Sequence, residues 1–122
     1  MAQHNDLGQK GEELAFLHLV QKGYKILERN WRYDHAEIDI IARIKNVLVV
    51  VEVKTRSAAI YEEPRETISD RKIRFLVNAA EAYIEEKNID FETRFDVVAI
   101  KWFGENKYEL NHIEDAFTPL VN

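Results

Sequence analysis

The stretch VLVVVEVKTR, residues 47–56, opens with apolar residues and then carries an acid and a base in the same run. Its nearly continuous apolar character is typical of a central strand that is covered on both faces of a sheet. Residues i and i+2 of a strand project from the same face about 6.5–7 Å apart, so Glu52 and Lys54 point into one environment. Burying both without partners would cost on the order of several kcal/mol. The stretch therefore predicts a buried strand that carries a charged pair for a specific reason.

The N-terminal segment predicts an amphipathic helix over about Leu7–Lys22. Asp6 is the expected N-cap and Gly23 the expected C-terminal stop, because these residue types favour helix ends. The apolar residues expected on its buried face are Leu7, Leu14, Leu17 and Val20.

Residues 69–87 show the clearest helical periodicity in the chain, with Ser69 or Thr67 available as the N-cap. The apolar positions at helical spacing are Ile73, Leu76, Val77, Ala80, Tyr83 and Ile84. Apolar and alternating runs predict strands at residues 24–31, 36–43, 47–55, 93–103 and 107–113. The resulting order, α-β-β-β-α-β-β, indicates a single domain over residues 1–122 of the α/β or α+β class, a mixed sheet flanked by helices.

Composition narrows the classes of function. With 122 residues and no cysteine, the chain is long enough for one core and excludes disulfide and thiolate-metal chemistry. No apolar run reaches the roughly 18 residues of a membrane span, and the N-terminus lacks a signal-peptide core, so we expect a cytoplasmic protein without a membrane partner. The net charge of −5 is uneven: from residue 81 onward four basic side chains face ten acidic ones, whereas residues 1–80 carry +1.

The segment EIDIIA, residues 37–42, provides partners for the charged pair. Alternation places Glu37 and Asp39 on one strand face and the apolar residues Ile38, Ile40 and Ala42 on the other. A hairpin around residues 44–46 would bring Asp39 beside Glu52, where two carboxylates repel each other unless a cation lies between them. Mg²⁺ suits such a site because it needs only one or two protein carboxylates, and Lys54 could then hold a water or a phosphate oxygen. This layout suits metal-assisted phosphodiester hydrolysis.

Two other interpretations stay open from these residues. Glu52 and Lys54 could form a structural ion pair, and the whole cluster could be a buried charge network that Lys54 and arginines neutralise without metal. Glu12 could be an ordinary exposed acid of the first helix. Asp96 lies in the apolar segment RFDVVAI and is expected to pair with Arg94 in a structural role.

The ordered motifs resemble the PD-(D/E)xK nuclease superfamily, which includes restriction endonucleases and Holliday-junction resolvases, and within it the small bacterial YraN-like proteins. The matching segments cover most of the chain: GQKGEELA, KGYKILERNWR, EIDIIA, VVEVKTR and RFDVVAI. There are two departures from the family pattern, and neither removes a functional group. Ile38 replaces the proline of the superfamily's Pro-Asp pair, and Ala36 stands where relatives usually carry glycine. The resemblance implies a restriction-endonuclease-like core.

The resemblance also implies roles for individual residues. Asp39 and Glu52 would bind Mg²⁺ or Mn²⁺ with the backbone carbonyl of Val53, Lys54 would orient or activate the attacking water, and Glu12 would be an additional acid of the catalytic set. Glu37 is a weaker candidate for an outer position around the site. The expected activity is endonucleolytic cleavage of DNA, including branched or structured DNA. The alternative is a nucleic-acid-binding or assembly module that keeps the site without cleaving.

Basic and aromatic residues near the motifs are candidates for nucleic-acid contact. The predicted phosphate-binding residues are Arg32, Arg56, Arg71, Lys72 and Arg74, with Arg29 and Arg65 as neighbours in the same basic region. Trp31 and Tyr33 could stack on an unpaired base; the alternative for Trp31 is packing in the core. His35 is near the site in sequence, and the four histidines show no metal-ligand spacing. By analogy with nucleases that make two cuts, a homodimer is a further expectation.

Overall fold

The computed structural model describes residues 2–58 and 68–118, with side chains from residue 6 onward. Its elements are α1 (Ala2–Gln21), β1 (Lys25–Tyr33), β2 (Ala36–Ile44), β3 (Val47–Ser57), α2 (Asp70–Lys87), β4 (Glu92–Gly104) and β5 (Lys107–Ile113). The predicted order α-β-β-β-α-β-β and the mixed α+β class are confirmed.

The five strands form one sheet in the order β1-β2-β3-β4-β5. Strands β3 and β4 are parallel, because α2 lies between them in the chain and allows the crossover, and the other neighbouring pairs are antiparallel. Helix α1 packs on one face of the sheet and α2 on the other. The sheet thus has an apolar layer on each side.

Strand β3 is the centre of both layers. Val49 and Val51 are buried in the cluster that contains residues of α1, whereas Leu48 and Val50 are buried in the cluster that contains residues of α2. This alternation confirms that the VLVVV run is a strand covered on both faces.

The first helix differs from the prediction at its start and in its buried face. It begins at Ala2, so Asp6 lies inside the helix and is not the N-cap. Leu17 and Val20 are each 46% exposed, while Ala15 and Leu19 are fully buried. Apolar spacing alone could not tell the stripe with Leu17 and Val20 from the stripe with Ala15 and Leu19. Small residues decide which of the two approaches the sheet.

Gly11 explains this choice of stripe. A Cβ atom at Gly11 would overlap the side chain of Thr55 on β3, so only glycine allows α1 to approach the strand this closely. Ala15 and Leu19 follow Gly11 at intervals of four residues and continue the contact. Beyond the helix, Gly23 has a φ of 92° and acts as the predicted stop.

The second helix matches its prediction closely. Ser69 is the N-cap, and its side chain accepts a hydrogen bond from the Lys72 N–H. The other candidate cap, Thr67, lies outside the described residues. The buried residues of the helix are Ile73, Leu76, Ala79, Ala80 and Tyr83.

Candidate active site

The candidate site forms where β2 and β3 separate. Their pairing runs from Ile44 opposite Val47 to Ile40 opposite Val51. Just past its end, the Asp39 carboxylate accepts a hydrogen bond of 2.8 Å from the Val53 N–H. A side chain thus replaces the backbone carbonyl as acceptor, which holds Asp39 beside the Glu52 end of β3. The predicted proximity of the two acids is confirmed.

The pleat of β2 is interrupted at the same place. Ile38 is buried in the cluster on the α2 side and Ile40 in the cluster on the α1 side. The prediction that these two isoleucines share a face with Ala42 is therefore wrong at Ile38. On the neighbouring strand Asn30 has a φ of 52°, a left-handed conformation that asparagine tolerates. Irregular pairing at this end of the hairpin breaks the simple alternation on which the prediction relied.

Glu52 is buried and surrounded by amines. Its carboxylate is 5% exposed, and Oε2 lies 3.2 Å from Lys72 Nζ and 3.9 Å from Lys54 Nζ. The other oxygen, Oε1, is buried without a hydrogen-bond partner in the part of the chain that the structure describes. A buried carboxylate oxygen without a donor is uncommon, because it forfeits the hydration of the charge.

Electrostatics at the site perturb both an acid and a base. Burial, together with the nearby Glu52 and Glu12 carboxylates, raises the pKa of Asp39 to about 7, although the Val53 N–H and Lys72 act in the opposite direction. Burial lowers the pKa of Lys54 from its usual value, although Glu52 acts in the opposite direction. An acid and an amine whose pKa values both move toward neutrality are typical of functional sites.

Glu12 enters this cluster from α1. Its carboxylate accepts a hydrogen bond of 3.0 Å from the Asn30 amide and contributes to the raised pKa of Asp39. The close approach of Gly11 to Thr55 fixes where α1 presents this acid. Sequence reasoning missed Gly11, although a glycine in a helix interior costs about 1 kcal/mol relative to alanine and thereby signals a packing reason.

Two clefts lie next to Asp39 and Glu52, the paired acids. One has a volume of about 270 Å³ and is lined by Leu7, Gly8, Glu12, Val53, Lys54, Thr55 and Arg56. The other, of about 200 Å³, is lined by His35, Ala36, Glu37, Asp39, Lys72, Phe75 and Leu76. A wider groove of about 620 Å³ adjoins the second cleft but contains none of the predicted catalytic residues. Of the predicted catalytic residues, Glu12 and Lys54 line the first small cleft and Asp39 lines the second.

The predicted phosphate-binding residues divide into two groups. Lys72 reaches Glu52, and Arg56 lines the cleft with Lys54. Arg74 follows Lys72 by two residues, which on a helix directs it to the opposite side; it is exposed. Arg71 is also exposed and lies over the Phe75 ring, 5.5 Å from its centroid. The structure thus brings Lys72 to Glu52 and Arg56 to the cleft that Glu12 and Lys54 line, but it leaves Arg71 and Arg74 away from both.

The remaining candidates lie at the edge of the site. Arg32 is exposed and 3.6 Å from Glu37 Oε2. His35 is also exposed and lies 3.7 Å from an Asp34 carboxylate oxygen. Ala36 begins β2 with a negative φ, so the backbone conformation at this position does not require glycine.

The aromatic and basic candidates of β1 make contacts with residues outside the paired acids. Trp31 packs edge-on against Tyr83 in the α2-side cluster and stacks with Tyr33, which is exposed. Trp31 thus belongs largely to the core. Arg29 pairs with Glu13 at 3.1 Å, and Arg65 lies outside the described residues.

A second buried carboxylate lies elsewhere in the sheet. Asp96 accepts two hydrogen bonds from the Arg94 guanidinium, at 2.9 and 2.8 Å, which confirms their predicted pairing. It also accepts one from the Asp115 N–H and contacts His112 Nε2 at 2.8 Å. His112 in turn lies 3.1 Å from His18. Sequence spacing could not reveal this histidine contact, since the two residues are 94 positions apart.

The residue types at the paired acids limit the metal that could bind. Within residues 2–58 and 68–118, no group of three or more His, Cys, Asp or Glu side chains is arranged to hold a metal ion. Two carboxylates and a main-chain carbonyl are too few for a structural zinc site, but they suit Mg²⁺, which retains several waters.

Neither of the described helices is long and apolar enough to cross a membrane.

The fold and site define a small α+β protein in which a half-buried and a buried carboxylate, Asp39 and Glu52, meet where two neighbouring strands separate. Residues 11–100 match the model of the family described as "Uncharacterised protein family UPF0102". A UPF0102 protein of Flavobacterium johnsoniae is 50% identical over 121 residues, covering 96% of this chain and 98% of the relative. A UPF0102 protein of Bacteroides thetaiotaomicron is 45% identical over 120 residues, covering 98% of each chain. The chain belongs to this family, which confirms the YraN-like resemblance of its motifs.

Proposed function

We propose that this protein is a metal-dependent nuclease of the PD-(D/E)xK superfamily that hydrolyses phosphodiester bonds in DNA, including branched or structured DNA. The observation that carries the proposal is the pair of acids on neighbouring strands, the half-buried Asp39 and the buried Glu52, with Lys54 beside Glu52. A purely structural network would leave its acids satisfied, whereas here Glu52 Oε1 has no donor among the described residues and the pKa of Asp39 is raised to about 7.

The residues fit a hard divalent cation. The carboxylates of Asp39 and Glu52 and the carbonyl of Val53 would hold Mg²⁺ or Mn²⁺, and the bound charge would offset the burial and the Glu52 repulsion that raise the pKa of Asp39. When bound, such an ion polarises a phosphoryl oxygen and stabilises the charge that develops during displacement. The raised pKa predicts that binding strengthens as the pH rises through about 7, since the ion competes with a proton for Asp39.

The chain's own residues would serve the hydrolytic step. A water oxygen bonds to phosphorus, the bond from phosphorus to the leaving sugar oxygen breaks, and that oxygen takes up a proton. Lys54, with its lowered pKa, would orient the water or accept its proton, and Glu12 would hold the site's outer hydrogen bonds. Lys72 and Arg56 would contact phosphate oxygens next to the acids.

Cleavage assays test this proposal. Labelled single-stranded, duplex, flap and four-way-junction DNA would be incubated with wild type, Asp39→Ala and Lys54→Ala in Mg²⁺ or Mn²⁺, with chelator controls. The control variants are Glu13→Ala, whose partner is Arg29, and Lys107→Ala on exposed β5. We expect metal-dependent cleavage that both site variants lose, by at least about 10²-fold, and both controls keep.

The other outcomes discriminate the alternatives. An inert wild type that binds Mg²⁺ in calorimetry through Asp39 would support a non-cleaving nucleic-acid-binding module. An inert wild type that binds no metal would support a structural charge network, in which Lys72 and Lys54 neutralise Glu52 permanently.

A further inference from the structure

Helix α2 carries an exposed polar stripe. Arg71, Arg74, Asn78, Glu81 and Glu85 are all exposed and follow one another at alternating intervals of three and four residues. Residues at this spacing lie along one line of a helix. The stripe is separate from the face of α2 that packs on the sheet.

The charges of this α2 stripe are segregated along the helix. The two arginines lie in the N-terminal half, the two glutamates in the C-terminal half, and Asn78 lies between them. Within the part of the chain that the structure describes, Arg74, Glu81 and Glu85 form no side-chain ion pair or hydrogen bond. The arrangement also opposes the helix dipole, which favours acids near the N-terminus and bases near the C-terminus. The stripe therefore does not serve the stability of the isolated helix.

An acidic groove runs beside the α2 stripe, and its charge is opposite to that of the two arginines of the stripe. Its volume is about 620 Å³, and it lies between α2 and the turn that joins β1 to β2. Its acidic lining residues are Asp34, Glu81 and Glu85, and none of its lining residues is a lysine or an arginine. Phe75 and the exposed Tyr33 supply apolar surface. The groove suits a helix that presents arginines.

We propose that the α2 stripe is the interface of a homodimer, in which α2 packs antiparallel against α2 of a second copy. A two-fold axis at Asn78 places Arg71 opposite Glu85 and Arg74 opposite Glu81 of the other copy. One stripe is thus complementary to itself, as a two-fold interface requires. The three-four spacing suits helices crossing at about 20°. Charge complementarity selects a second copy as the occupant, and the inference is independent of the proposed nuclease function.

The dimer has consequences for the candidate site. Arg71 and Arg74 would be engaged in the interface, which leaves Lys72, beside Glu52, and Arg56, in the cleft with Lys54, for contact with phosphate. Lys72 is six residues from Asn78, so the two copies of Lys72 would be separated by about 18 Å along the helix axes. Each assembly would carry two candidate sites. Because exposed ion pairs contribute only about 0–1 kcal/mol each, we expect a weak dimer that salt dissociates.

A charge-swap experiment tests the interface. Sedimentation equilibrium of the full chain would be measured at low and high salt for wild type, Arg74→Glu, Glu81→Arg and the double variant. We expect a salt-sensitive wild-type dimer, a dissociation constant raised about tenfold or more by each single reversal, and recovery in the double variant. Glu86→Arg, on the same helix but off the stripe, should leave association unchanged.

Circular dichroism checks that the variants fold. If Arg74→Glu does not fold, Arg74→Gln replaces it, because glutamine removes the charge but is still a good helix former. A wild type that stays monomeric at all protein and salt concentrations would overturn the proposal. So would a double variant that associates no better than the single ones.

Discussion

Asp96 and Asp39 lie on strands of the same sheet, yet their surroundings treat the two carboxylates in opposite ways. Asp96 is fully buried and accepts hydrogen bonds from Arg94 and from the Asp115 N–H, with His112 in contact. These donors lower its pKa, even though burial acts in the other direction. Asp39 accepts one hydrogen bond from Val53, faces the Glu52 carboxylate, and has its pKa raised to about 7.

Under the proposed function, the difference separates a structural charge from one held ready for a ligand. The Asp96 cluster supplies its own cation and donors, so ionisation of the acid stabilises the fold. The Asp39 cluster concentrates acids from α1, β2 and β3 and leaves a Glu52 oxygen without a donor among the described residues. A fold retains such an arrangement at the expense of stability, as functional sites often do.

The largest effect is expected for Asp96→Ala. Removing this carboxylate leaves Arg94 partly buried without its main partner, so we expect a loss of about 3–5 kcal/mol in the free energy of unfolding at pH 7. Urea denaturation would measure it. The loss should shrink as the pH falls through the lowered pKa of Asp96, because protonation removes the same charge from wild type.

Glu114→Ala is the matched control, since Glu114 is an exposed acid 3.6 Å from the same guanidinium. It should cost less than about 1 kcal/mol. Equal costs for the two variants would show that burial does not distinguish the Asp96 pair.

Asp39→Asn should raise the free energy of unfolding of the metal-free protein, whereas Asp96→Ala lowers it. The folded protein holds a proton on Asp39 up to about pH 7, so ionisation between pH 4 and 8 destabilises the fold. Asparagine can still accept the Val53 hydrogen bond but carries no charge. Without metal we expect a gain of about 1–3 kcal/mol at pH 8 that disappears near pH 4, measured by urea denaturation.

With Mg²⁺ present, wild type should become more stable than Asp39→Asn, because the ion would bind and stabilise wild type and not the variant. Asp90→Asn, at an exposed position between α2 and β4, controls for the chemical change. A destabilised Asp39→Asn in chelator at pH 8 would mean that the carboxylate is structural, like Asp96.

Local patterns predicted the parts of the fold that depend on local periodicity. The apolar run of residues 47–51 predicted a strand covered on both faces, and the hairpin that follows from it predicted the meeting of Asp39 and Glu52. Helix α1 was less predictable, because the contact of Gly11 with Thr55 selects its buried stripe and depends on the shape of β3. Periodicity cannot measure that distance.

The site shows the same division between local and tertiary information. The basic residues at the start of α2 form one cluster in sequence, but helical phase directs Lys72 to Glu52 and leaves Arg74 exposed. That separation was available from the sequence through the helical repeat. The contact of His112 with Asp96 and His18 was not, because it requires residues of α1, β4 and β5 to converge.

The smallest effect concerns two neighbouring acids on α1. Glu12 raises the pKa of Asp39, whereas Glu13 pairs with Arg29. In Glu12→Gln the pKa of Asp39 should therefore fall, by less than in Glu52→Gln because Glu52 exerts the larger repulsion. Carboxyl ¹³C NMR titration of the metal-free protein would measure both shifts, and Glu13→Gln should leave the pKa in place. An equal response to Glu12→Gln and Glu13→Gln would mean that α1 acts only through its overall charge, and Glu12 would then lose its place beside the paired acids.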